Sequence, residues 1–205
     1  MTDGGVDKDG AATAGADYAA RLRTREEARW KQVLDVQRPY RWNLRRLDLG
    51  RTLDVGCGIG RNLMGLDDGV GVDHNAESVE IARERGCRAW STAEWPTSPD
   101  AVPGSFDTML LAHVLEHMDA GTADEVVRSY LPYLKPAARL VLICPQEKGY
   151  STDHTHVRFV DPQELDATAR RLGFVPTRNF SFPFPRAAGK LFPYNEFVLV
   201  AERLG

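Results

Sequence analysis

The sequence predicts a doubly wound α/β sheet that closes with an antiparallel pair of strands. Three observations carry this. Short apolar runs alternate with helix-like segments from Arg51 onward. Residues 106–114 are almost continuously apolar, as in a strand covered on both faces. The last stretch changes texture: residues 174–182 and 197–201 are β-prone, and the Pro-, Gly- and aromatic-rich link between them has no helical pattern.

The elements follow in order. Residues 1–16 are rich in Gly, Ala, Asp and Thr, which predicts a disordered tail. Tyr18, Leu22, Ala28, Trp30, Val33 and Leu34 fall at helical spacing, and residues 41–47 form a second amphipathic piece. Together, residues 17–50 read as a helical lid opening a single domain that spans 17–205. Residues 51–55 read as a buried strand, followed by glycines and a helix start. Residues 69–73 read as the second strand, with a helix over 76–85 stopped by Gly86. Residues 87–90 and 106–114 give the third and fourth strands. A helix is expected over 123–134, ending before Pro136, then a fifth strand over 138–144. Asp161, Pro162 and Glu164 form a helix start by N-cap, first-turn proline and capping box, and that helix runs to Gly173.

Bulk composition narrows the function. The chain has 205 residues, the size of one domain with one core. Hydrophobic residues make up 42% and charged residues 27%, as in soluble globular proteins. The formal net charge of -3 lacks the basic surplus that grips a nucleic-acid backbone, so nucleic acid is not an expected partner. Cys57, Cys87 and Cys144 are odd in number and lie in or beside apolar segments, which predicts free thiols in a reducing compartment. The acidic, glycine-rich opening is unlike a secretory leader, and no apolar run is long enough for a bilayer. The expected location is the cytoplasm, with no membrane partner.

The informative string is Leu53-Asp54-Val55-Gly56-Cys57-Gly58-Ile59-Gly60-Arg61-Asn62. Closely spaced glycines after a strand let the backbone turn sharply and approach a ligand. A helix start behind them would offer N–H groups to an anion. The spacing is not the dinucleotide fingerprint, because Arg61 stands where its third glycine belongs. Asp54 lies two residues before the first glycine. Asp73 ends the second strand, where an acid can accept from both ribose hydroxyls.

The strings LDVGCGIG, GVGVDHN and FDTMLLAHVLEHM resemble the successive motifs of the class I methyltransferases, in order and spacing, over roughly residues 51–201. The resemblance implies a Rossmann-like seven-stranded sheet and S-adenosylmethionine as methyl donor. Carried over, Gly56, Gly58 and Gly60 line the methionine end and Asp73 holds the ribose, with Asp54 and His74 as further cofactor-binding candidates. Ala93 or Glu94 lies at the adenine, and Ala112 and His113 flank the sulfonium. Within this class, RPYRWNLRRL, CPQEKGYSTDHTHVRF and FPYNEF resemble the sugar 1-O-methyltransferases of methylmannose polysaccharide synthesis, which implies a carbohydrate acceptor.

Ligands in this fold bind beyond the carboxyl ends of the strands. His113, His117, His154 and His156 fall there. Methyl transfer is an in-line displacement, and an alcohol acceptor also needs a base for its proton. In an extended segment His154 and His156 point the same way, so either can serve as base. His154 is preferred because Asp153 is at hand to orient it, and His113 is a third catalytic candidate. Tyr40, Trp42, Glu116, His117, Tyr150, Tyr194, Asn195 and Glu196 are the acceptor-binding candidates, mixing aromatic faces with polar groups. A metal reading competes without being favoured: Glu116, His117 and His154 could hold a divalent ion such as magnesium. The metal-dependent small-RNA and ubiquinone methyltransferases resemble this stretch but carry a glutamate where His113 stands, which removes a hard oxygen ligand. A small-molecule acceptor is the expected partner, and the reading allows a homodimer. Methylation of a quinone or phenol, a non-catalytic donor-binding module, and a nucleotide-linked dehydrogenase are the rivals, in that order.

Overall fold

A computed structural model describes residues 37–203. The tail expected over 1–16 and the first expected helix, through Leu34, lie outside the described residues. The described chain begins with α1 (Arg38–Arg46) and β1 (Arg51–Val55), then β2 (Asp68–Asp73), α2 (Ala76–Glu84) and β3 (Arg88–Ser91). β4 (Phe106–Ala112), α3 (Ala120–Tyr130), β5 (Leu134–Pro145) and the one-turn α4 (Glu147–Tyr150) follow. The chain closes with α5 (Pro162–Arg171), β6 (Phe174–Phe182) and β7 (Glu196–Arg203).

The seven strands form one sheet in the order β3-β2-β1-β4-β5-β7-β6. β1 pairs in parallel with β2 and β4, as do β2 with β3 and β4 with β5. β7 runs antiparallel between β5 and β6. This is the doubly wound sheet with an antiparallel closing pair that the sequence predicts. The strand order reverses between β1 and β4, and that switch point opens a crevice at the strand carboxyl ends.

Side chains alternate along each strand and divide the core into two faces. Leu53, Val72, Met109, Leu142 and Leu199 point to the face covered by Ala123 and Val127 of α3 and Leu165 and Ala169 of α5. Leu110, Val141 and Val198 point the other way, against Leu44 of α1 and the following Leu47 and Leu49. On that same side Val79 and Ala82 of α2 pack on Cys57, Leu63 and Ala89. The described part of the expected lid is thus pinned to the sheet through its leucines.

Three local expectations need correction. No α-helix follows the glycine loop: residues 59–62 form turns and Leu63–Gly65 a single 3-10 turn. β2 begins at Asp68, so the segment is too short for a stable helix, and Gly65, Asp67 and Asp68 give it no apolar stripe. The helix expected over 123–134 instead begins at Ala120, because the Asp119 side chain accepts from Thr122 N, 3.0 Å, and caps it there. Leu134 and Pro136 belong to β5. A register shift between Phe106 and Thr108 of the neighbouring strand leaves Pro136 exposed at an irregular stretch where its missing N–H costs no ladder bond.

Candidate active site

The donor side of the crevice is built on β1 and β2. Asp54 is fully buried, and neither carboxylate oxygen has a hydrogen bond of normal geometry. Burial pushes its pKa up to about 7, the Asp73 charge adds to this, and the nearby Asn62 side chain opposes it in part. A buried carboxylate with two spare oxygens fits the cationic amino group of a methionine moiety, which would supply the missing partner.

The glycines divide the labour. Gly56, Gly58 and Gly60 all have positive φ, at 79°, 51° and 80°. A Cβ on Gly56 would strike the Val114 side chain, and one on Gly60 would press on Cys87 and Ala82. Those two glycines are demanded by packing and backbone shape. Only a Cβ on Gly58 would meet open space, so Gly58 alone presents a bare face to a ligand. Gly56 N and Cys57 N both donate to Val72 O, at 2.8 and 3.2 Å, which ties the loop to β2.

Asp73 is held from two sides. Its Oδ2 accepts from Gly58 N at 2.7 Å and its Oδ1 from Asn75 N at 2.8 Å, with the exposed His74 ring 3.4 Å from Oδ1. The carboxylate therefore sits fixed between the glycine loop and the start of α2. Ala93 and Glu94 lie exposed on the turn after β3. Glu94 is committed: its Oε2 accepts from Ser91 N, Ser91 Oγ and Arg83, and these partners hold its pKa at about 2. All three bonds fall on the same oxygen, Oε2.

The acceptor side gathers residues from four segments. Ala112 ends β4, and His113 takes φ 60°, which turns the chain out of the strand. His113 Nε2 donates to Glu196 Oε1 at 2.8 Å, and its Nδ1 lies 3.3 Å from Glu116 Oε1. Burial works to lower the His113 pKa, but the two carboxylates outweigh it and raise it to about 10. With a carboxylate beside each nitrogen, His113 is held as an imidazolium at neutral pH, and its assignment as a catalytic base is corrected on that ground. Glu116 has no exposed surface; burial would raise its pKa, but His113 holds it below the usual value.

His117 and His156 are paired differently. His117 Nδ1 lies 3.3 Å from Thr155 O, and His156 Nδ1 lies 2.8 Å from Tyr150 O. A carbonyl only accepts, so each neutral ring carries its proton on Nδ1 and a lone pair on Nε2. The two rings are 4.8 Å apart between centroids. Burial and the neighbouring His156 lower the His117 pKa, against the pull of Glu116. Ligand atoms of Glu116, His117 and His156 all lie within 4.8 Å of one another.

The structure separates the other candidates. His154 is exposed, and Asp153 Oδ1 accepts from Thr155 N and Thr155 Oγ1 at 3.0 and 2.7 Å. Asp153 therefore orients Thr155, which in turn faces His117, and the preference for His154 as base or metal ligand passes to His156. Asn195 is also corrected: its Oδ1 accepts from Phe184 N, and its Nδ2 donates to Gln146 Oε1 and to Phe184 and Pro185 carbonyls. With its amide consumed, it braces the β6–β7 loop and leaves nothing for an acceptor. Tyr40 donates to Tyr194 O, and its hydroxyl pKa is raised by burial and the nearby Glu196 charge. Tyr150 stacks on His156 at 5.3 Å, and Trp42 lies farther out, stacked on Phe182.

Two residues escaped the sequence reading. Gln146 is fully buried and donates to Ser181 Oγ and Glu196 O. Thr155 fixes the His117 ring. A polar residue directly after an apolar strand was the available signal for Gln146; nothing local distinguishes Thr155.

Residues 53–140 match a family model described as a methyltransferase domain. No curated protein matches the sequence. Among solved structures, the chain is similar to an S-adenosylmethionine-dependent methyltransferase from Archaeoglobus fulgidus, with TM-score 0.65, 18% identity, and 89% of this chain and 99% of that one covered. It is similar to one from Thermotoga maritima described as a possible histamine N-methyltransferase, with TM-score 0.65, 19% identity, and coverage of 91% and 99%. A third is the 1,6-didemethyltoxoflavin-N1-methyltransferase of Burkholderia thailandensis, solved with 1,6-didemethyltoxoflavin and S-adenosylhomocysteine bound, at TM-score 0.57, 20% identity, and coverage of 100% and 94%. Residues 53–140 thus resemble a methyltransferase domain, and the whole sheet has the fold of the S-adenosylmethionine-dependent methyltransferases.

Proposed function

We propose that the protein transfers the methyl group of S-adenosylmethionine to a hydroxyl of a small carbohydrate acceptor. The observation that carries this reading is one juxtaposition. The glycine loop with its buried Asp54 carboxylate opens onto the switch point, and the Nε2 lone pairs of His117 and His156 belong to the loops at the same strand ends. Transfer needs the acceptor oxygen in line with the methyl–sulfur bond and a base for the hydroxyl proton. His156 is the favoured base, with His117 beside it; the oxygen–carbon bond forms as the carbon–sulfur bond breaks, and the proton passes to Nε2. Tyr40, Tyr194 and Glu196 offer rings and a carboxylate to a sugar. The carbohydrate assignment rests on the resemblance of the strings around Tyr40, His154 and Tyr194 to sugar methyltransferases. A cytoplasmic location accompanies this reading, supported by three free thiols; among the described residues no helix is long and apolar enough to cross a membrane.

The test is calorimetric titration with S-adenosylhomocysteine, in the wild type and in Asp73→Ala. Binding that is lost in the variant supports the donor site, and methylated mannosides are then the first acceptors to assay. No binding to the wild type would return the conclusion to the fold alone. A phenol acceptor would show itself by weak dependence on the histidines, and a non-catalytic module by donor binding without turnover.

A second reading has its own observation. Glu116, His117 and His156 converge, the Glu116 oxygens lack normal hydrogen bonds, and both rings are fixed through Nδ1. Such fixing is the usual support for metal-bound imidazoles. Two imidazoles and one carboxylate suit a transition ion better than magnesium. When bound, such an ion would lower the pKa of an acceptor hydroxyl. Full turnover after exhaustive chelation would remove this reading, and manganese binding by calorimetry that vanishes in His156→Ala would support it.

A further inference from the structure

Seven arginines of the described chain pair with carboxylates, among them Arg51 with Asp100 and Arg171 with Asp124. Arg38, Arg45, Arg46 and Arg178 are different: all are exposed, and among the described residues none pairs with a carboxylate. They are also neighbours. Arg38, Arg45 and Arg46 share the outer face of α1 with Trp42, at spacings of three and four residues. Arg178 stands on the edge strand β6, whose Arg178, Phe180 and Phe182 alternate onto the face that α1 covers.

Aromatic rings hold two of the guanidinium groups in place. Arg46 lies 5.0 Å from the Trp42 ring centre and 5.5 Å from that of Phe180, and Arg178 lies 5.2 Å from Phe180. A guanidinium fixed over a ring keeps its N–H edge free and loses little freedom on binding, which suits two-point recognition of an oxyanion. Trp42 is 55% exposed, yet Phe182 stacks on it and Arg46 lies over it. Its faces are taken, so the patch does not offer the open stacking platform of single-strand nucleic-acid sites. The apolar side of α1 is buried under Leu44, so the helix has no apolar face to insert into a lipid surface.

The patch is joined to the acceptor centre. Trp42 stacks on Phe182 at 6.3 Å, Tyr40 meets Phe182 edge-on at 5.7 Å, and Tyr40 donates to Tyr194 O, two residues from Glu196. From this continuity and charge we infer that Arg38, Arg45, Arg46 and Arg178 form a docking site for phosphate or carboxylate groups on the distal end of an extended acceptor. The inference rests on the methyltransferase reading only for its link to the acceptor.

The test is calorimetry of the whole chain with inorganic tripolyphosphate and, separately, with citrate, which distinguishes phosphate from carboxylate. Saturable binding of either is expected, weakened about tenfold or more in Arg46→Gln/Arg178→Gln, as loss of charge-assisted hydrogen bonds requires. Arg38→Gln/Arg45→Gln, which removes no ring-stacked arginine, should weaken it as well. S-adenosylhomocysteine affinity should be unchanged in both double variants, which shows that they fold. No binding of either anion, or equal binding by wild type and variants, would overturn the site. Tighter, variant-sensitive binding of a single-stranded oligonucleotide would overturn its assignment to small oxyanion groups. Failure here with donor affinity intact leaves the methyltransferase reading standing, and loss of donor affinity in the wild type removes that reading alone.

Discussion

The imidazole of His113, at the end of β4, donates to the carboxylate of Glu196, at the start of β7, across 2.8 Å. This bond joins the ends of β4 and β7 and, with Glu116 beside the other nitrogen, keeps the ring charged. The folded pKa of about 10 lies above the unfolded value of about 6.5. The resulting stabilisation is complete below about pH 6.5 and fades as pH rises through about 10. An NMR titration of the ring should show it still protonated at about pH 8. Glu196→Gln should lower the midpoint, and an unmoved midpoint would deny the pairing.

Asp54 predicts opposite effects on stability and binding. Its folded pKa of about 7 exceeds the unfolded carboxylate value of about 3.9. The folded state therefore loses stability as pH rises from about 3.9 to 7, where the buried charge must form. Asp54→Asn should raise the melting temperature of the unliganded protein above neutral pH. The same change should weaken S-adenosylhomocysteine binding about 10- to 100-fold, the worth of one charge-assisted hydrogen bond. Calorimetry checks both, and unchanged affinity would show that Asp54 does not face the donor.

The glycines separate by the space around them. Gly58→Ala should fold, with a backbone cost of about 1–2 kcal/mol from its left-handed conformation, and should lose donor affinity. Gly56→Ala adds a clash with Val114 and should cost about 2–5 kcal/mol in urea unfolding. Equal stability losses in the two variants would contradict the open face at Gly58.

Histidine variants distinguish the base. His156→Ala should reduce turnover about 10²- to 10⁴-fold with S-adenosylhomocysteine affinity unchanged. His154→Ala should turn over almost normally, since its ring is exposed and Asp153 is engaged elsewhere. Because burial lowers the His117 pKa, any acid-side loss of activity due to His117 should fall below about pH 6.5. A large loss in His154→Ala would reverse the assignment.

Asn195→Ala removes the brace of the β6–β7 loop. It should cost about 1–3 kcal/mol, since the buried Gln146 Oε1 loses its donor. The acceptor KM should rise while donor affinity holds, because Glu196 is next in the chain and the bonds of this amide go to Gln146, Phe184 and Pro185, outside the glycine loop. A matching loss of donor affinity would point to a general folding defect.

The sheet class, the succession of strands and the glycine loop are all legible in the amino-acid order alone. These are local: apolar runs, turn residues and caps such as Asp161 are written in neighbouring positions, and the run LDVGCGIG with Asp73 specifies its own conformation. Tertiary structure alone decided what each polar residue does. His113 reads as a base until Glu116 and Glu196, 83 residues away from it in the latter case, turn it into a cation. The string prefers His154 for its neighbouring Asp153, whereas the carbonyl of Tyr150 and the ring of His117 favour His156. Asn195 looks available until Gln146 and the Phe184 backbone consume its amide. Charge state and hydrogen-bond capacity depend on partners brought together by the strand order, and neighbouring sequence carries no record of them.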